Sequence, residues 1–500
     1  MRTALAALFL AALLTPALAS ADSAISPRPE QLAFPALNYQ PPNPADYRVQ
    51  LKSGPVVYIM PDHELPLVNI AVYVHVGQYL EPAGKEGLAE LTGWLMAHGG
   101  AGTNTAEQLE ERLAFLAANL SCYIGDTEGS VSLNLLSKDL DEGLGIMRDV
   151  LYAPRFQDDK IKLRKDQMLQ EMKQRNDDSA DIEGRESGFL TEGENFWENR
   201  YPTAASVDSL TRDDLATFQQ RWFVPQNFVV AVSGDFDRDA MIAKLETLFA
   251  RPSGGEFTPP PVIPTNTVFA APGIYVVDKP DVNQGRVSMM LPGMLRNNPD
   301  YFPAIIMNDI LGGGGFSARI VNRVRSDEGL AYSAGSRFPG GVYFPGVFTA
   351  AFQSKSRTVP YAISLVEDEM NKIVAQPVTA AELDASKQSF IERFPRTFAT
   401  KIQSANTFAQ DEFTGRYVSD PDYWKEYRSR IAAVTAADVQ RVAEKYLHPA
   451  QMVILVVGNK KDILLGYPGH PVQLSDLGKQ VDVPLRDPLT MQPLTNAPAQ

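Results

Sequence analysis

The 500-residue chain contains a single cysteine, Cys122, and only five histidines. One thiol cannot form an internal disulfide, and the histidines are scattered without the spacing that metal ligands use. A G-x-S-x-G elbow is also absent, which leaves a serine hydrolase without support. These absences argue against a disulfide scaffold, a histidine metal site and a serine nucleophile in this chain.

Basic residues are also fewer than acidic residues. The net charge is −14 and the basic residues form no stripe, so the sequence argues against nucleic acid as a partner. Long apolar runs are confined to the first 21 residues, and no later segment predicts a membrane span. The mature chain is therefore expected to be a soluble globular protein.

The first 21 residues have the pattern of a secretory signal peptide. Arg2 is followed by an apolar run from Ala4 to Leu14 and by small residues in A-x-A order at Ala19-Ser20-Ala21. Such a segment is too short to span a bilayer. We expect an exported protein, with the periplasm of a Gram-negative bacterium as first choice and secretion as second.

One stretch of the chain occurs twice. Thr211 corresponds to Thr435 and Gly234 to Gly458, an offset of 224 residues in both cases. Each stretch predicts a Thr-capped helix, a proline stop and a β-branched strand that ends at glycine. The sequence therefore predicts two copies of one domain. The predicted organisation is a signal peptide (1–21), an N-terminal arm (22–44), a first copy (45–250), a Pro/Gly-rich linker (251–271), a second copy (272–468) and a C-terminal tail (469–500).

Local patterns indicate an α+β fold. Ile70, Val72 and Val74 alternate with other residues and predict a half-buried strand, and the capping box of Thr105 and Gln108 predicts the start of a helix. Strands and helices follow each other in an order that fits a mostly antiparallel sheet with helices packed on one face, once in each copy.

The segment from Glu86 to Met96 carries the first functional signal. Leu88, Leu91 and Leu95 recur at helical spacing and predict a packed helix. The segment resembles the zinc-site helix of the pitrilysin/insulinase family of metallopeptidases, whose inverted H-x-x-E-H motif supplies two metal-binding imidazoles and a general base.

The resemblance places Glu90 at the first histidine position, Gly93 at the glutamate position and Trp94 at the second histidine position. It places Glu171 at the third zinc ligand. A helix-surface glutamate paired with Arg175 is the alternative interpretation of Glu171. The resemblance thus implies a degenerate motif with no catalytic residue, no metal and no cofactor in this chain.

The second copy contains the run Gly312-Gly313-Gly314-Gly315. No Lys-Ser/Thr follows, so a Walker loop is excluded. The run resembles the Gly-rich segment by which family members let an extended peptide approach their backbone, which makes Gly313 and Gly314 candidate substrate contacts. A flexible joint between two helices is the alternative.

Arg325 is followed seven residues later by Tyr332 in a Gly-Leu-Ala-Tyr context. This closely resembles the second-domain signature of the same family, where the pair reaches substrate held over the zinc of another domain. A guanidinium and a phenol can donate hydrogen bonds to a peptide carbonyl and to the oxyanion formed during hydrolysis. The resemblance therefore implies that both residues bind substrate.

These signals predict the non-catalytic, substrate-binding subunit of a heterodimeric exported zinc metallopeptidase that cleaves short unfolded peptides. Its partner is expected to be a homologous subunit that carries the intact H-x-x-E-H motif and the zinc. One alternative is a catalytically inactive family member that acts as a binding or scaffold protein. Another is an enzyme with an aberrant metal site built from Glu90 and Glu171.

Overall fold

The computed structural model describes residues 38–250 and 257–494. The predicted signal peptide, most of the predicted N-terminal arm, part of the linker and the end of the tail lie outside these residues. No helix in the described ranges is long and apolar enough to cross a membrane.

The first sheet is formed by residues of the first predicted copy. Its six strands among the described residues are β1 (Arg48–Gln50), β2 (Val56–Pro61), β3 (Leu67–Val74), β4 (Asn119–Ile124), β5 (Gly129–Leu136) and β6 (Phe228–Gly234). They lie in the order β1-β2-β6-β3-β5-β4, and only the β2–β6 pair is parallel.

The second sheet repeats this arrangement. Its main strands are β7 (Gly273–Asp278), β8 (Gln284–Pro292), β10 (Ala331–Arg337), β12 (Val347–Lys355), β13 (Val453–Gly458) and β14 (Gln480–Asp482), and the short strands β9 (Met294–Leu295) and β11 (Gly340–Gly341) pair beside it. The order is β10-β12-β8-β13-β7-β14, so β4 and β10 are equivalent edge strands. The sheet is mostly antiparallel, with parallel pairs at β13–β7 and β7–β14.

Helices surround both sheets. In the first half they are α1 (Leu88–His98), α2 (Ala106–Phe115), α3 (Leu140–Tyr152), α4 (Asp158–Lys173), α5 (Ser179–Glu192), α6 (Ala204–Ser209), α7 (Arg212–Trp222) and α8 (Arg238–Phe249). In the second half they are α9 (Tyr301–Asn308), α10 (Arg319–Val321), α11 (Val359–Ala375), α12 (Ala380–Arg393), α13 (Lys401–Phe413), α14 (Arg416–Ser419), α15 (Tyr423–Ala433), α16 (Ala436–Tyr446) and α17 (Lys460–Leu464). The predicted α+β class is confirmed.

The structure confirms the sequence repeat. Helices α7 and α16 both begin with a capping box, in which Thr211 pairs with Asp214 and Thr435 with Asp438. Each is followed by a proline-initiated turn and then by a fully buried strand, β6 or β13. Both strands occupy the fourth place from the β4 or β10 edge, between one parallel and one antiparallel neighbour.

Each sheet is covered on its second face by a helix from the other copy. Ile70 and Val72 of β3 belong to the main core of the first copy, whereas Tyr73 points to the opposite face and lies 6.4 Å from the Phe413 ring of α13. Arg48 and Tyr58 bind Glu412 of the same helix at 2.9 Å. The prediction that β3 is half-buried is therefore wrong, because α13 buries its second face.

Helix α5 of the first copy packs on the second sheet. Its Ile182 is fully buried against Val277, Met290 and Leu455 of the second sheet. Its Glu183 accepts hydrogen bonds from Arg286 at 2.5 Å and Ser288 at 2.7 Å. The helix belongs by sequence to the predicted first copy and by packing to the second sheet, so the chain exchanges one helix in each direction.

The predicted C-terminal tail lies along the second sheet as far as the described residues extend. Its strand β14 pairs with β7, and Arg486 binds the buried Glu186 of α5 at 3.3 Å. The tail thus occupies the place that β1 occupies in the first sheet.

Candidate functional site

Helix α1 presents the positions of the degenerate motif. Leu88, Leu91 and Leu95 are buried, as their spacing predicts. The helix begins where Glu81 Oε1 accepts hydrogen bonds from the backbone N–H groups of Gly87 at 3.2 Å and Ala89 at 2.7 Å. Glu81 is 5% exposed, and its burial raises the pKa of its carboxyl to about 7.

Arg164 lies between the two acidic positions of the motif. Its Nη2 donates to Glu90 Oε1 at 2.5 Å, and its Nη1 donates to Glu171 Oε1 at 2.8 Å. Although burial acts to lower it, the hydrogen bonds to Glu171 and Glu90 raise the pKa of Arg164 above its ordinary value. One guanidinium thus binds both carboxylates that the family resemblance places around a zinc ion and offsets one of their two negative charges.

The alternative pairing predicted for Glu171 is wrong. Arg175 donates instead to the backbone carbonyls of Pro202 at 2.9 Å and Pro488 at 3.0 Å. Arg164 precedes Glu171 by seven residues, which is two helical turns and therefore the same face of α4. That spacing was a usable sequence signal for the pair.

Gly93 lies where helix α1 contacts strand β4. A Cβ atom at this position would be 2.8 Å from the backbone nitrogen of Ile124, a distance that forces the strand or the helix to move. The glutamate that serves the family as general base therefore has no room here. Trp94 stacks on His98 at 4.5 Å, and the guanidinium of Arg164 lies 5.9 Å from its ring centroid.

Zinc does not fit this arrangement. Two carboxylates remain, both bound by Arg164, and neither an imidazole nor a base is present at the other motif positions. The described residues contain no group of three or more His, Cys, Asp or Glu side chains that could hold a metal ion. The site is a cleft of about 280 Å³, lined by Glu81, Glu90, Trp94 and Arg164 among others.

His98 and Cys122 have structural partners at this cleft. The ring Nδ1 of His98 lies 2.9 Å from the Trp94 carbonyl at the end of α1, which fits the capping role expected of a residue in the last turn. Cys122 on β4 contacts the Met96 sulfur at 4.0 Å, and burial raises the pKa of its thiol to about 12. Such a thiol is a poor nucleophile at neutral pH.

The backbone of the second copy is irregular around the predicted substrate residues. π-helical turns cover Asp309–Gly313 and Asn322–Asp327, and the second contains Arg325. Tyr332 is the extra residue of a β-bulge, because Ala331 pairs with Ser354 while Ser333 pairs with Gln353. Both features are frequent at functional sites, where they re-aim side chains.

Arg325 and Tyr332 are brought together with a residue that the sequence did not identify. The Arg325 guanidinium lies 4.6 Å from the ring centroids of both Tyr332 and Phe316. Tyr332 is 84% and Phe316 is 70% exposed. This aromatic stack, Phe316–Arg325–Tyr332, presents a guanidinium and a phenol on the surface. In the sequence, only the position of Phe316 directly after the glycine run could have identified it as part of this stack.

The glycine run connects helices α9 and α10. Gly313 is exposed and Gly314 is half-buried. A Cβ atom would lie 2.6 Å from the Asn308 side chain at Gly313 and 2.7 Å from the Asp309 carbonyl at Gly314. Contact with backbone thus favours glycine at 314, whereas at 313 the nearest atom is the end of a side chain, whether or not a peptide approaches.

Comparisons with known proteins agree with this architecture. A family model described as insulinase (peptidase family M16) matches residues 56–184, and one described as peptidase M16 inactive domain matches residues 209–390. An uncharacterized zinc protease of Rickettsia bellii is 23% identical over 412 residues, which are 79% of this chain and 93% of that protein.

Solved structures show the same fold. A peptidase M16 inactive domain from Pseudomonas fluorescens superposes with a TM-score of 0.71 at 21% identity, over 82% of this chain and 97% of that one. The periplasmic protease PqqL from Escherichia coli gives 0.69 at 16% identity, over 83% of this chain and 45% of PqqL. On these two family matches, to residues 56–184 and 209–390, the chain belongs to the peptidase M16 family.

Proposed function

We propose that this protein is the non-catalytic, substrate-binding subunit of a two-chain M16 zinc peptidase. Its match to the inactive-domain model suggests a non-catalytic member of the family. In the proposal, a homologous partner carries the intact H-x-x-E-H motif and the zinc, and so supplies the hydrolytic chemistry. This chain supplies Arg325 and Tyr332.

One observation carries the proposal. The chain keeps Arg325 and Tyr332 together in an exposed stack on irregular backbone, while Arg164 binds both acids of its own degenerate metal position. A protein kept only for its fold has no need for an exposed bulged tyrosine packed on an arginine. The contrast favours a chain that binds the substrate of another subunit.

The proposed role of the stack follows from its donors. The Arg325 guanidinium and the Tyr332 hydroxyl donate hydrogen bonds to the carbonyl under attack and to the oxyanion that it becomes. Strand β10 lies at the edge of the second sheet, so an extended peptide can pair with its backbone as an added strand. Short unfolded peptides are the substrate class that this geometry suits.

Export is part of the proposal. The first 21 residues have the pattern of a signal peptide, and a structural neighbour, PqqL, is a periplasmic protease. The periplasm is therefore the proposed compartment, with secretion as the second choice.

The first test is isolation of the native protein from its own cells without overexpression, with mass spectrometry of the chains that co-elute in stoichiometric amount. A similar-sized chain with an intact H-x-x-E-H motif supports the proposal. Elution alone, or with unrelated proteins, supports the alternative of a binding or scaffold protein.

The second test measures peptide turnover by the reconstituted pair. We expect Arg325→Gln and Tyr332→Phe each to lower kcat by about 10²- to 10³-fold, because each removes a donor to the developing oxyanion. Arg337→Gln is the matched control, since Arg337 is exposed at the other end of β10. Unchanged turnover in both test variants contradicts the proposed role.

A further inference from the structure

A second cleft, which we call the arginine cleft, lies in the second copy between the start of α9 and helices α14 to α16. Its volume is about 480 Å³. It is lined by four arginines and two aromatic residues, Arg296, Arg416, Arg430, Arg441, Phe302 and Tyr423. None of its lining residues belongs to helix α1 or to the aromatic stack, so its function is independent of theirs.

Three of the four guanidinium groups have carboxylate partners. Arg416 binds Asp411 at 3.1 Å, and Arg441 binds Asp300 at 2.6 Å. Arg430 binds Asp420 and, at 2.8 Å, Glu426. Their charges are neutralised within the protein.

Arg296 differs from the other three. Its Nη2 donates to the Thr414 carbonyl at 2.7 Å, and no carboxylate in residues 38–250 or 257–494 lies within ion-pair distance of its side chain. Burial, with the charge of Arg416 as the next cause, lowers the pKa of Arg296. Arg296 is therefore a half-buried guanidinium without an ion pair of its own, and Asp411, the carboxylate that acts on its charge, is already bound by Arg416.

The position of Arg296 is fixed by its backbone. Its N–H donates to the Gly341 carbonyl at 2.9 Å, in the short pairing of β9 with β11. The guanidinium thus does not have to be ordered when a ligand binds, which preserves binding free energy.

Part of the remaining wall of the cleft is apolar, and its polar part is formed by Asn297, Asn298, Ser419, Asp420 and Asp438. The rings of Phe302 and Tyr423 lie 6.1 Å apart, and Pro299 and Pro303 flank them. Ligand sites commonly combine such a wall with a few fixed polar groups. A ligand carboxylate would give Arg296 the ion-pair partner that it lacks, with two oxygens that match the planar guanidinium.

We propose that the arginine cleft binds a small organic carboxylate joined to an apolar or aromatic body, with Arg296 as its principal contact. The free C-terminus of a short peptide and a free organic acid share this chemistry. The carboxylate accepts hydrogen bonds from Arg296, and the body packs on Phe302 and the flanking prolines.

The test is calorimetric titration of the whole mature protein with N-acetylphenylalanine and with N-acetylphenylalaninamide, which lacks the negative charge. We expect the acid to bind at least about tenfold more tightly than the amide, because a charge-assisted hydrogen bond is lost in the amide. Arg296→Gln should weaken binding of the acid by a similar factor and leave the amide unchanged.

Arg357→Gln is the matched control. Arg357 also donates from its side chain to one backbone carbonyl, that of Gly466 at 3.1 Å, but lies outside the cleft. This variant should bind the acid as the unmodified protein does. Thermal unfolding of both variants checks that they are folded.

A peptide acid such as acetyl-Ala-Ala-Phe separates the two sources of carboxylate. Tighter binding than N-acetylphenylalanine supports a peptide C-terminus, and equal binding supports a free organic acid. Equal binding of acid and amide, absence of binding, or an equal loss in Arg296→Gln and Arg357→Gln overturns the proposal.

Discussion

In the first copy, edge strand β4 packs on the regular helix α1. Arg164 binds the acidic motif position on this helix, and Ile124 leaves no space for a side chain at Gly93. In the second copy, the equivalent edge strand β10 carries a bulge and lies beside two π-helical turns, and Arg325 and Tyr332 are held at the surface. The same strand order thus supports a helix surface covered by ion pairs in one copy and an exposed stack in the other. Regular packing surrounds the motif positions of the first copy, whereas irregular backbone places Tyr332 at the surface of the second.

The largest expected effect concerns the exchanged helices. Phe408 of α13 is fully buried against the first sheet, so Phe408→Ala should reduce the free energy of unfolding by about 3–5 kcal/mol. Hydrogen exchange should quicken in β2 and β6, although the substitution lies in the second half of the chain.

The control for this comparison is Phe115→Ala, because Phe115 is 76% exposed. Its cost should stay within about 0.5 kcal/mol. Unchanged exchange in the first sheet of Phe408→Ala would mean that the two copies are stable independently of the exchanged helix.

The next prediction tests whether the first site can be reopened. Combining Glu90→His, Gly93→Glu and Trp94→His restores the motif letters, but we expect no stoichiometric zinc after incubation and gel filtration. Arg164 still binds Glu171, and a side chain at 93 collides with β4. Overpacking should cost about 1–3 kcal/mol in unfolding free energy.

Adding Arg164→Leu to the triple variant separates the two obstacles. If zinc still does not bind, the packing of β4 is sufficient to exclude it. One zinc per chain in the triple variant, with unchanged thermal stability, would contradict the view that the first copy has lost the geometry of the site.

A smaller difference is expected between two single glycines. Gly93→Ala should cost about 1–3 kcal/mol, because its Cβ meets backbone at 2.8 Å. Gly315→Ala should cost about 1 kcal/mol, because its φ is +67° but the space around it is open. Urea unfolding of both variants measures the difference, and equal costs would show that α1 and β4 can separate freely.

The smallest effect is a pH dependence at the first cleft. Burial raises the pKa of Glu81 from 4.5 to about 7, so the folded protein holds a proton that the unfolded chain has released. The unfavourable contribution of the buried Glu81 carboxyl to the free energy of unfolding is absent below pH 4.5. It grows as the pH rises to 7 and is complete above that. Wild-type stability should therefore fall from pH 5 to pH 8 on account of this group.

Glu81→Gln tests the assignment. The amide oxygen can keep the hydrogen bonds from Gly87 and Ala89, while its NH₂ replaces Glu81 Oε2, a buried oxygen without a partner in the described residues. We expect a net gain of about 1 kcal/mol at pH 8 and none at pH 5. Glu110→Gln, on the exposed side of α2, is the control, and an equal gain at both pH values would contradict the buried carboxylate as the cause.

Much of the fold could be predicted from local patterns. The capping boxes at Thr105, Thr211 and Thr435, the strands that end at Gly234 and Gly458 and the helix from Leu88 all form where the sequence indicates. These features depend on neighbouring residues and on burial of one apolar face, which the sequence states directly. The resemblance identified the family for the same reason, because its motifs are local.

The residues that the sequence missed act over long distances. Arg164 matters because α4 lies against α1, and Phe316 because a π-helical turn brings Arg325 under its ring. Arg296 becomes important only because Arg416, 120 positions away, lies beside it and takes Asp411 as its ion-pair partner. No local pattern encodes these proximities.

The sequence by itself determined two copies of an α+β domain, the absence of H-x-x-E-H, and the spacing of Arg325 and Tyr332. Only the tertiary structure decided that Arg164 binds both Glu90 and Glu171, that Gly93 leaves no room for a larger side chain, and that each sheet is buried by a helix of the other copy. Periodicity and capping are properties of short segments, whereas charge compensation and free volume depend on which segments meet.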